Sequence, residues 1–375
     1  MLKVLHVGKY YPPVPGGMER VVQMLCTVAR DRLDSRVLGF SRDRSTVEEI
    51  VDGVAVTRVA TLGQAGSVPI APSFPAHLRR AAADVMIVHE PNPWALLSLL
   101  LAPPRMPFAI WFHSDVIRPW LQNRAFYEPV ARRSYHRAAR FVVSSPALAK
   151  ASPVLTRYAD RVAVIPFGID ADAWTPCRPI VERAAALRTA ARRPVVLFIG
   201  RLVAYKGVDV LLAAAAALPV QVVIVGDGPM KERWQRLADS HRDRAEVRFT
   251  GALPDHEVKA WLHAADIFVL PSVTSAEAFG VVQLEAMATG TPVVSTSVAS
   301  GVPWVNRNEE TGLVVPPGDV PALRHALERL LADSMLRSRL GAAGVARVRS
   351  EFTLGAMGDR LVALCEAVAG NVSRT

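Results

Sequence analysis

The sequence has 375 residues, of which 51% are hydrophobic and 21% charged, a balance typical of a soluble globular protein with room for two domains. Its formal net charge of +10 favours anionic partners such as phosphorylated ligands, a membrane surface or nucleic acid. Nucleic acid is the least favoured of the three, because the chain has no zinc-ligand spacing, no RNP-type signature and no arginine-rich tail.

The cysteines and the apolar stretches exclude further classes. Cys26, Cys177 and Cys365 are odd in number and form no CxxC pair, which argues for a reducing compartment and against a disulfide framework or a thiolate metal site. Met1–Gly8 is apolar but has no signal-peptide cleavage site. The most lipid-like stretch, Trp94–Ala102, is nine residues long and too short to span a bilayer. We therefore expect a cytoplasmic protein.

In the first half of the chain, apolar strand candidates alternate with helical patterns. A turn-rich loop, Tyr10–Gly17, follows the first strand, and the pattern after it predicts a helix over Met18–Arg32. The glycines and prolines of Thr61–Pro75 predict a long loop. The predicted strands are Leu2–Val7, Arg36–Phe40, Val54–Val59, Val85–His89, Phe108–Phe112, Arg140–Val143 and Val162–Ile165. Such an alternation predicts a doubly wound α/β domain.

A second alternation of the same kind begins after a hinge-like linker, Pro166–Pro179. Its predicted strands are Val195–Ile199, Val220–Val225, Val247–Thr250, Ile267–Leu270, Val293–Thr296 and Gly312–Val315. Helices are predicted from about Val208 and at Pro229–Ser240, Asp255–Ala265, Gly280–Thr289 and Val320–Ala332. A terminal helix is predicted over Ser350–Ala369, with a break at Phe352–Thr353. We expect two doubly wound domains with a ligand in the cleft between them.

The segment Ala265–Thr296 carries two acids in one strand–loop–helix–strand unit. Glu277 precedes the helix, in the crevice where open α/β sheets bind ligands, and Glu285 lies about 7 to 8 Å further along it. This spacing suits two ends of an extended polyhydroxy ligand. The backbone N–H groups near Gly280 suit a phosphate between them. The alternative is one acid at a helix start and one solvated acid.

A basic loop, Gly200–Gly207, directly follows the strand Val195–Ile199. Arg201 and Lys206 lie beside a helix N-terminus, where cations oppose the helix dipole unless an anion offsets them. A guanidinium and an ammonium in this position would clamp a diphosphate. Two solvated basic residues are the alternative.

Two weaker signals lie in the first half. Gly16 and Gly17 open a helix, where paired glycines let a backbone approach a ligand or simply form a turn. His113 follows the strand Phe108–Phe112 and precedes Asp115. A lone histidine there is either a satisfied rim residue or a ligand contact.

The string E-A-F-G-x4-E-A-M-A-x-G-T-P-V-V, which begins at Glu277, resembles the retaining GT-B glycosyltransferases of the large group 1 (GT4-like) family. The GRL-x3-KG string at Gly200–Gly207 matches a second motif of that family. The resemblance covers nearly the whole chain, most strongly from Val195 onward. It implies two facing Rossmann-like domains with a central cleft, an acceptor domain over 1–170 and a donor domain over 171–350. The remaining segment, 351–375, would be a helix that crosses back onto the first domain.

The resemblance also implies a role for each motif residue. Arg201, Lys206, Gly17 and Gly280 would bind the donor phosphates. Glu277, with Ala278 and Phe279, would bind the donor sugar, and Glu285 the ribose. Gly226, Asp227, Gly228 and Leu253 would form the base pocket. His113 would position the sugar and act with Glu277 as a catalytic residue, with Gly16 and Asp115 on the acceptor side.

The implied reaction needs no metal ion and no cofactor beyond a GDP- or UDP-linked sugar. Asp170 and Asp172 form a D-x-D string, but turn and capping roles suffice for it inside the linker. The cationic loop would stabilise the departing diphosphate while an oxocarbenium-like sugar is transferred with retention. The expected product is a hexosyl unit, with mannosyl favoured, on a glycan or a polyprenyl-diphosphate-linked acceptor of surface polysaccharide synthesis.

Two features bear on partners and specificity. The arginines and aromatic residues of Arg118–Arg140 predict contact with an anionic membrane surface, or else a basic solvated helix. Trp304 stands where many relatives of the family carry glutamate, which leaves the sugar open. A sugar-nucleotide 2-epimerase with the same architecture and a non-catalytic sugar-nucleotide-binding protein are the alternative functions.

Overall fold

The computed structural model describes residues 1–14, 16–113, 127–240 and 245–370. Within it the chain divides into two units, each built on one β-sheet. Unit 1 comprises Met1–Ser144, Ser152–Pro166 and Leu354–Thr375, and unit 2 comprises Ser145–Ala151 and Phe167–Thr353. The domain bounds predicted from the sequence, at 170/171 and 350/351, lie near these divisions. The prediction did not include the assignment of Ser145–Ala151 to unit 2.

In the described part of unit 1, eight strands form one sheet in the order β10-β9-β8-β7-β1-β2-β4-β3. All neighbours are parallel except β3 and β4, which are antiparallel. The eight strands are β1 (Leu2–Val7), β2 (Leu33–Phe40), β3 (Val47–Val51), β4 (Val54–Val59), β7 (Val85–Glu90), β8 (Phe108–Phe112), β9 (Arg140–Val143) and β10 (Val162–Val164). Strands β5 (Gly63–Ala65) and β6 (Val68–Ile70) form a separate antiparallel hairpin. Every residue of β7 and β8 is buried, as expected for central parallel strands with both faces covered.

The helices of unit 1 before the chain crosses to unit 2 are α1 (Gly17–Val28), α2 (Phe74–Arg80), α3 (Pro93–Leu101) and α4 (Glu128–Arg137). Helix α1 ends earlier than the predicted Arg32, because Arg32 and Leu33 form a turn onto the carbonyl of Ala29 and Leu33 already pairs with Leu2 in the sheet. The predicted loop Thr61–Pro75 contains the hairpin β5–β6, so that prediction is wrong in part.

In the described part of unit 2, six parallel strands form a sheet in the order β13-β12-β11-β14-β15-β16. They are β11 (Val195–Ile199), β12 (Gln221–Val225), β13 (Glu246–Gly251), β14 (Ile267–Leu270), β15 (Val293–Thr296) and β16 (Gly312–Val315). The helices are α5 (Pro146–Ala151), α6 (Arg178–Ala191), α7 (Val208–Ala215), α8 (Lys231–Ser240), α9 (Asp255–Ala264), α10 (Val281–Ala288), α11 (Val302–Val305), α12 (Val320–Ala332) and α13 (Ser334–Glu351).

The strand order reverses direction between β11 and β14 in unit 2, and between β1 and β7 in unit 1. At such a reversal the crevice outside the carboxyl ends of the two neighbouring strands is the usual ligand position in open α/β sheets. Each sheet therefore has one topological switch point, and the loops that carry Gly16 and Gly17, Arg201 and Lys206, and Glu277 follow strands β1, β11 and β14 beside these points.

The last helix, α14 (Leu354–Gly370), belongs to unit 1 and packs against α1, β1 and β7. Its separation from α13 at Phe352 and Thr353 confirms the predicted break. Phe352 is fully buried and Thr353 bridges to Ile169 in unit 2. Among the described helices, none has both the length and the apolar character needed to cross a bilayer.

Candidate functional site

The loops that leave β11 and β14 interlock at the switch point of unit 2. The Val273 amide donates a hydrogen bond to the Tyr205 carbonyl over 2.8 Å. Gly207 has a φ of 65°, and a Cβ atom there would overlap the carbonyl oxygen of Pro271. Only glycine allows this backbone conformation and this close approach together. The close approach brings the basic loop against the loop that carries Glu277.

Lys206 and Glu277 meet between these two loops. The Lys206 ammonium Nζ lies 2.5 Å from Glu277 Oε2, and both residues are buried. The Ser272 hydroxyl donates to the same oxygen over 3.0 Å, and the Ser272 carbonyl accepts from Thr296 Oγ1 over 2.5 Å. Glu277 is thus held by one cation and one hydroxyl. Buried carboxylates require such partners, since an unpaired charge in the interior is costly.

The ion pair joins two residues to which the sequence assigns different ligands, phosphate for Lys206 and sugar for Glu277. An ammonium has three hydrogens and a carboxylate accepts at both oxygens, so the pair retains capacity for further hydrogen bonds. Arg201 lies on the same loop as Lys206 and is exposed. The arrangement therefore places two cations and one fixed carboxylate at the carboxyl end of the sheet. Their ligand roles remain predictions.

Helix α10 starts beside the ion pair. Gly280 is its N-cap residue, and no side chain caps the helix there. Glu285 is half-buried inside the helix, and its backbone carbonyl accepts from the Thr289 amide over 3.3 Å. The N-terminal N–H groups of such a helix attract anions. Binding of a donor phosphate at Gly280 and of the ribose by Glu285 are compatible with this geometry and remain predictions.

The side chain of Phe279 belongs to the core of unit 2, so a contact of this residue with the donor sugar would be made by its backbone and remains a prediction. Its ring lies 5.1 Å from that of Phe167 and 6.1 Å from that of Phe352, both edge-on. The Phe279 carbonyl accepts from the side-chain amide of Gln283 over 2.7 Å. Ala278, its neighbour, is half-buried.

Trp304, the position at which family members commonly carry glutamate, takes part in the same cluster. Its ring lies 5.4 Å from that of Phe352, and the buried Arg347 guanidinium stacks 5.6 Å from its centroid. Arg347 also donates to the Trp304 carbonyl over 3.0 Å. Desolvation lowers the pKa of Arg347. Trp304 therefore has a packing role against a cation and an aromatic ring.

A third loop, which follows β12, packs on the basic loop. Gly226 has a φ of 132°, and a Cβ atom there would overlap the Gly200 carbonyl oxygen. The Gly226 amide donates to the Gly251 carbonyl over 2.8 Å. The predicted base-pocket residues Gly226, Asp227 and Gly228 thus lie beside the predicted phosphate loop, and Leu253 follows β13, the next strand. Their contact with a base remains a prediction.

Asp227 is exposed and paired within its own loop. Lys231 donates to its Oδ2 over 2.9 Å and the Gly228 amide to its Oδ1 over 2.8 Å. These hydrogen bonds, the one from Lys231 first, lower the pKa of Asp227. The loop is therefore ordered by its own ion pair.

Three histidines form a hydrogen-bonded series in unit 1. His6 Nδ1 lies 3.1 Å from His89 Nε2, and His89 Nδ1 lies 3.1 Å from His113 Nε2. His6 and His89 are fully buried, whereas His113 is partly exposed. The rings stack, with centroids 5.4 Å apart in each pair. His113 is thus the outer end of a buried row, not a lone residue.

Burial keeps this row neutral. It lowers the pKa of His6 to about 4 and that of His113 to about 3. The pKa of His89 is also well below its ordinary value, because of burial first and then its two histidine neighbours. The rings bond in series instead of converging on one point, and no group of three His, Cys, Asp or Glu side chains among the described residues is placed to hold a metal ion.

The glycine pair lies at the other predicted position in unit 1. Gly16 is the N-cap of α1 and Gly17 its first residue, and both are exposed. A Cβ atom on Gly16 would overlap the Glu19 carboxylate, which folds back over the helix start. Burial raises the pKa of Glu19. Glu19 thus occupies space beside the glycines, and their ligand roles remain predictions. Asp115 lies outside the described residues.

A buried carboxylate that the sequence analysis missed lies next to the histidine row. Glu90 follows His89 and is fully buried; it accepts from the Asn92 amide over 2.9 Å and from the Tyr127 hydroxyl over 2.7 Å. The Tyr127 and Tyr135 hydroxyl oxygens are 3.2 Å apart. Burial, and then the Glu90 charge, raise the pKa of Tyr127 well above its ordinary value.

This tyrosine pair lines a cavity of about 370 Å³ in unit 1, which we call the aromatic pocket. Most of its lining residues are apolar or aromatic, and its charged lining residues, Glu128, Arg132 and Arg157, are exposed to solvent. The lining residues are Phe112, Tyr127, Glu128, Ala131, Arg132, Tyr135, Pro153, Val154, Arg157 and Tyr158. A volume above about 300 Å³ is in the range of small-molecule sites.

Helix α4 is the described part of the predicted membrane-binding segment. Its inner face buries Ala131, Ser134 and Tyr135. Its exposed residues include Arg132, Arg133, His136 and Arg137. The helix therefore presents a basic outer face, as the pattern predicted, while Arg118 and the residues up to 126 lie outside the described part.

The positions that sequence reasoning missed share one signal. His6, His89 and Glu90 are polar residues at the carboxyl ends of strands that are otherwise mostly apolar, and His113 directly follows such a strand. Polar groups in such strands are uncommon unless they have partners. Of these residues, only His113 is also singled out by its position relative to the sequence motifs.

Two family models match the chain, Glycosyl transferases group 1 over residues 182–347 and Glycosyltransferase Family 4 over residues 15–173. A D-rhamnosyltransferase of Pseudomonas aeruginosa is 32% identical over 94% of this chain and 92% of its own length. The O-antigen chain mannosyltransferase C of Escherichia coli is 31% identical over 97% of this chain and 98% of its own. The solved structure of sucrose-phosphate synthase from Thermosynechococcus elongatus matches with a TM-score of 0.77 and 24% identity, over 100% and 98% of the two chains.

Proposed function

The chain belongs to the group 1, family 4 glycosyltransferases, which have the GT-B fold, and from this premise we propose a retaining, metal-independent hexosyltransferase that uses a nucleotide-diphosphate sugar. The observation that carries the donor half of this proposal is the contact of 2.5 Å between Lys206 and Glu277. This contact places a cation suited to a phosphate next to a carboxylate suited to sugar hydroxyls, at the switch point of one sheet. A sugar diphosphate has both complementary groups.

In the proposed reaction the nucleotide diphosphate departs from the anomeric carbon. Arg201, Lys206 and the N-terminus of α10 stabilise its growing negative charge. Glu277 accepts hydrogen bonds from the hydroxyls of the sugar, and Glu285 from those of the ribose. To His113 we assign contact with the transferred sugar. Arg201, Lys206 and the helix N-terminus replace the positive charge that a divalent metal supplies in other transferases.

Retention is proposed to proceed by attack on the face that the leaving group vacates. Double displacement would need a carboxylate that is a strong nucleophile. Lys206 and Ser272 both contact Glu277 Oε2 and withdraw electron density from the whole carboxylate, which reduces the nucleophilicity of both oxygens. This pairing supports a binding role for Glu277 over a covalent one.

For the sugar and the acceptor, the names of the relatives are the support. Mannosyl transfer in the O-antigen relative supports a mannosyl donor, which we propose is GDP-mannose, and a surface-polysaccharide or lipid-linked acceptor. The aromatic pocket, with arginines at its rim, suits the apolar and phosphate parts of such an acceptor. The basic face of α4 suits an anionic membrane surface, and we propose a cytoplasmic enzyme that binds the membrane peripherally.

The test uses the purified full chain with GDP-mannose, UDP-glucose or UDP-N-acetylglucosamine, with and without an alkyl-diphosphate-linked hexosamine acceptor, in the presence of EDTA. We expect acceptor-dependent release of one nucleoside diphosphate and an α-linked product from an α-linked donor. Glu277→Gln should abolish release, and Glu328→Gln, an exposed acid on α12, should not. A requirement for metal, an inverted product, or an isomerised nucleotide sugar without transfer would each contradict the proposal.

A further inference from the structure

The histidine row follows from the strand order of unit 1. His6 pairs in register with Ile87, two residues before His89, and His89 pairs with Trp111, two residues before His113. Alternate residues of a strand share a face, so the three imidazoles project from one face of three neighbouring strands or their ends. Strands β1 and β7 flank the switch point of this sheet. The row thus leads from the core to its ligand-binding edge.

The hydrogens in this row can be counted. Each neutral imidazole has one N–H group, and two hydrogen bonds join the three rings. Burial lowers the pKa of each ring, so all three are neutral near neutral pH. If both bonds are formed, the middle ring donates to one neighbour and accepts from the other. Only two arrangements satisfy this condition.

In the inward arrangement, His113 donates to His89 and His89 donates to His6, which places the His6 hydrogen on Nε2. That nitrogen is buried and has no hydrogen-bond partner among the described residues. In the outward arrangement, His6 donates to His89, His89 donates to His113, and only a lone pair is buried at His6 Nε2. Orphaned buried N–H groups are rarer in proteins than under-used acceptors. The outward arrangement is therefore favoured.

We propose that His6 and His89 are positioning residues that hold His113 as its neutral Nδ1–H tautomer, so that His113 donates a hydrogen bond to an oxygen of the sugar nucleotide. The contact with the sugar nucleotide rests on the proposed function, but the tautomer does not. His113 Nε2 accepts from His89, so the single hydrogen of the neutral ring lies on Nδ1. In this state His113 stabilises negative charge on oxygen and cannot remove a proton through Nδ1.

Two-bond proton–nitrogen correlation spectra of the ¹⁵N-histidine-labelled full chain near neutral pH test the tautomer without any substrate. The His113 signals are assigned by their loss in His113→Gln, and exposed His136 serves as a solvent-equilibrated reference. We expect the Nδ1–H pattern for His6, His89 and His113. An Nε2–H or doubly protonated His113 would overturn the proposal. Because the spectra are recorded without substrate, they test the tautomer independently of whether the protein transfers a sugar.

Two variants of His89 test whether the donor matters to the reaction. His89→Phe keeps an aromatic ring in the row but removes the N–H that donates to His113. His89→Asn places an amide N–H close to the position of Nδ1. We expect His89→Phe to lower kcat about tenfold or more with little change in the Kd for nucleoside diphosphate, as for loss of one preorganised donor. His89→Asn should restore most of kcat and the Nδ1–H pattern, and equal kcat values in the two variants would contradict the proposal. If His89→Phe does not fold, the native spectrum decides alone.

Discussion

Lys206 and Glu277 form a buried ion pair whose Nζ and Oε2 atoms are 2.5 Å apart, with only 10% and 9% of the two side chains exposed. The pair connects the loop after β11 with the loop after β14, and these loops meet where the strand order of unit 2 reverses. A diphosphate that binds Lys206 must share the ammonium with Glu277. The strength of the Lys206–Glu277 ion pair, the contact between the two loops and the affinity for a diphosphate are therefore linked.

The first prediction concerns stability. Lys206→Met or Glu277→Gln alone should lower the local free energy of unfolding by about 3–5 kcal/mol, because each leaves one buried charge without its partner. The double variant should lose less than the sum of the single losses, by about 1–3 kcal/mol, since neither charge is then stranded. Hydrogen exchange of peptides that cover β11 and β14 measures these values. Strict additivity would show that the two side chains do not interact, and Glu328→Gln, as a control, should stay within about 0.5 kcal/mol of the native protein.

The second prediction separates the roles of the two residues. Glu277→Gln removes the competitor for the ammonium, so the Kd for GDP or UDP should be unchanged or tighter while transfer falls about 100-fold or more. Lys206→Met removes a charged donor to phosphate and should weaken the Kd about tenfold or more. Titration calorimetry and a product assay measure the two effects. Near-normal turnover by Glu277→Gln would mean that Glu277 does not bind the donor sugar.

The elements that the sequence predicted well are those with a strong local pattern. Parallel central strands are continuous apolar runs, so β7, β8, β11 and β14 were recognisable. Strand β3 is exposed and begins Val-Glu-Glu, and it was missed. Helix α6 begins with Arg178–Pro179, which resembled the end of a linker although proline suits the first turn of a helix.

The site was predictable where its residues lie within one motif and not where contacts depend on strand order. Lys206 and Glu277 were each identified from their own loops, but their contact depends on β11 and β14 being neighbours in the sheet. His6, His89 and His113 are brought together only because β1, β7 and β8 are adjacent. The sequence pattern predicts strands but not which of them pair.

The third prediction concerns acid stability. The pKa of His6 is lowered to about 4 in the folded protein, against about 6.5 in the unfolded chain. Between these two pKa values the unfolded chain binds more protons than the folded protein. The stabilisation of the folded state that depends on neutral His6 is therefore complete above about pH 6.5 and is lost as the pH falls towards 4. For His6 the full loss is about 3 kcal/mol. Exchange measurements on β1 and β7 across this range should show a shallower pH dependence in His6→Leu than in the native protein.

The matched control for this prediction is His325→Asn, since His325 is exposed on α12. It should leave the slope unchanged. An identical slope in His6→Leu and the native protein would mean that His6 is already charged or exposed in the folded state, and would also remove the neutral histidine row on which the tautomer depends.

The fourth prediction concerns the aromatic pocket. Val154→Trp should fill part of the cavity of about 370 Å³ and so exclude the apolar part of an acceptor. With a long-chain polyprenyl-diphosphate-linked acceptor, KM should rise about tenfold or more, the cost of losing about two buried methylene groups. With a short water-soluble acceptor and for GDP binding, the change should stay within about threefold, because neither reaches the pocket.

The control for the pocket is Val181→Trp, which adds the same ring on an exposed position of α6 in unit 2. It should change neither acceptor's kinetics. Equal losses with long and short acceptors would indicate a general folding defect or a pocket that binds the sugar instead of the lipid. An unchanged KM for both would place the apolar part of the acceptor elsewhere. Arg157→Gln then separates the two parts of the ligand, because loss of the rim cation should weaken diphosphate-linked acceptors and spare neutral glycans.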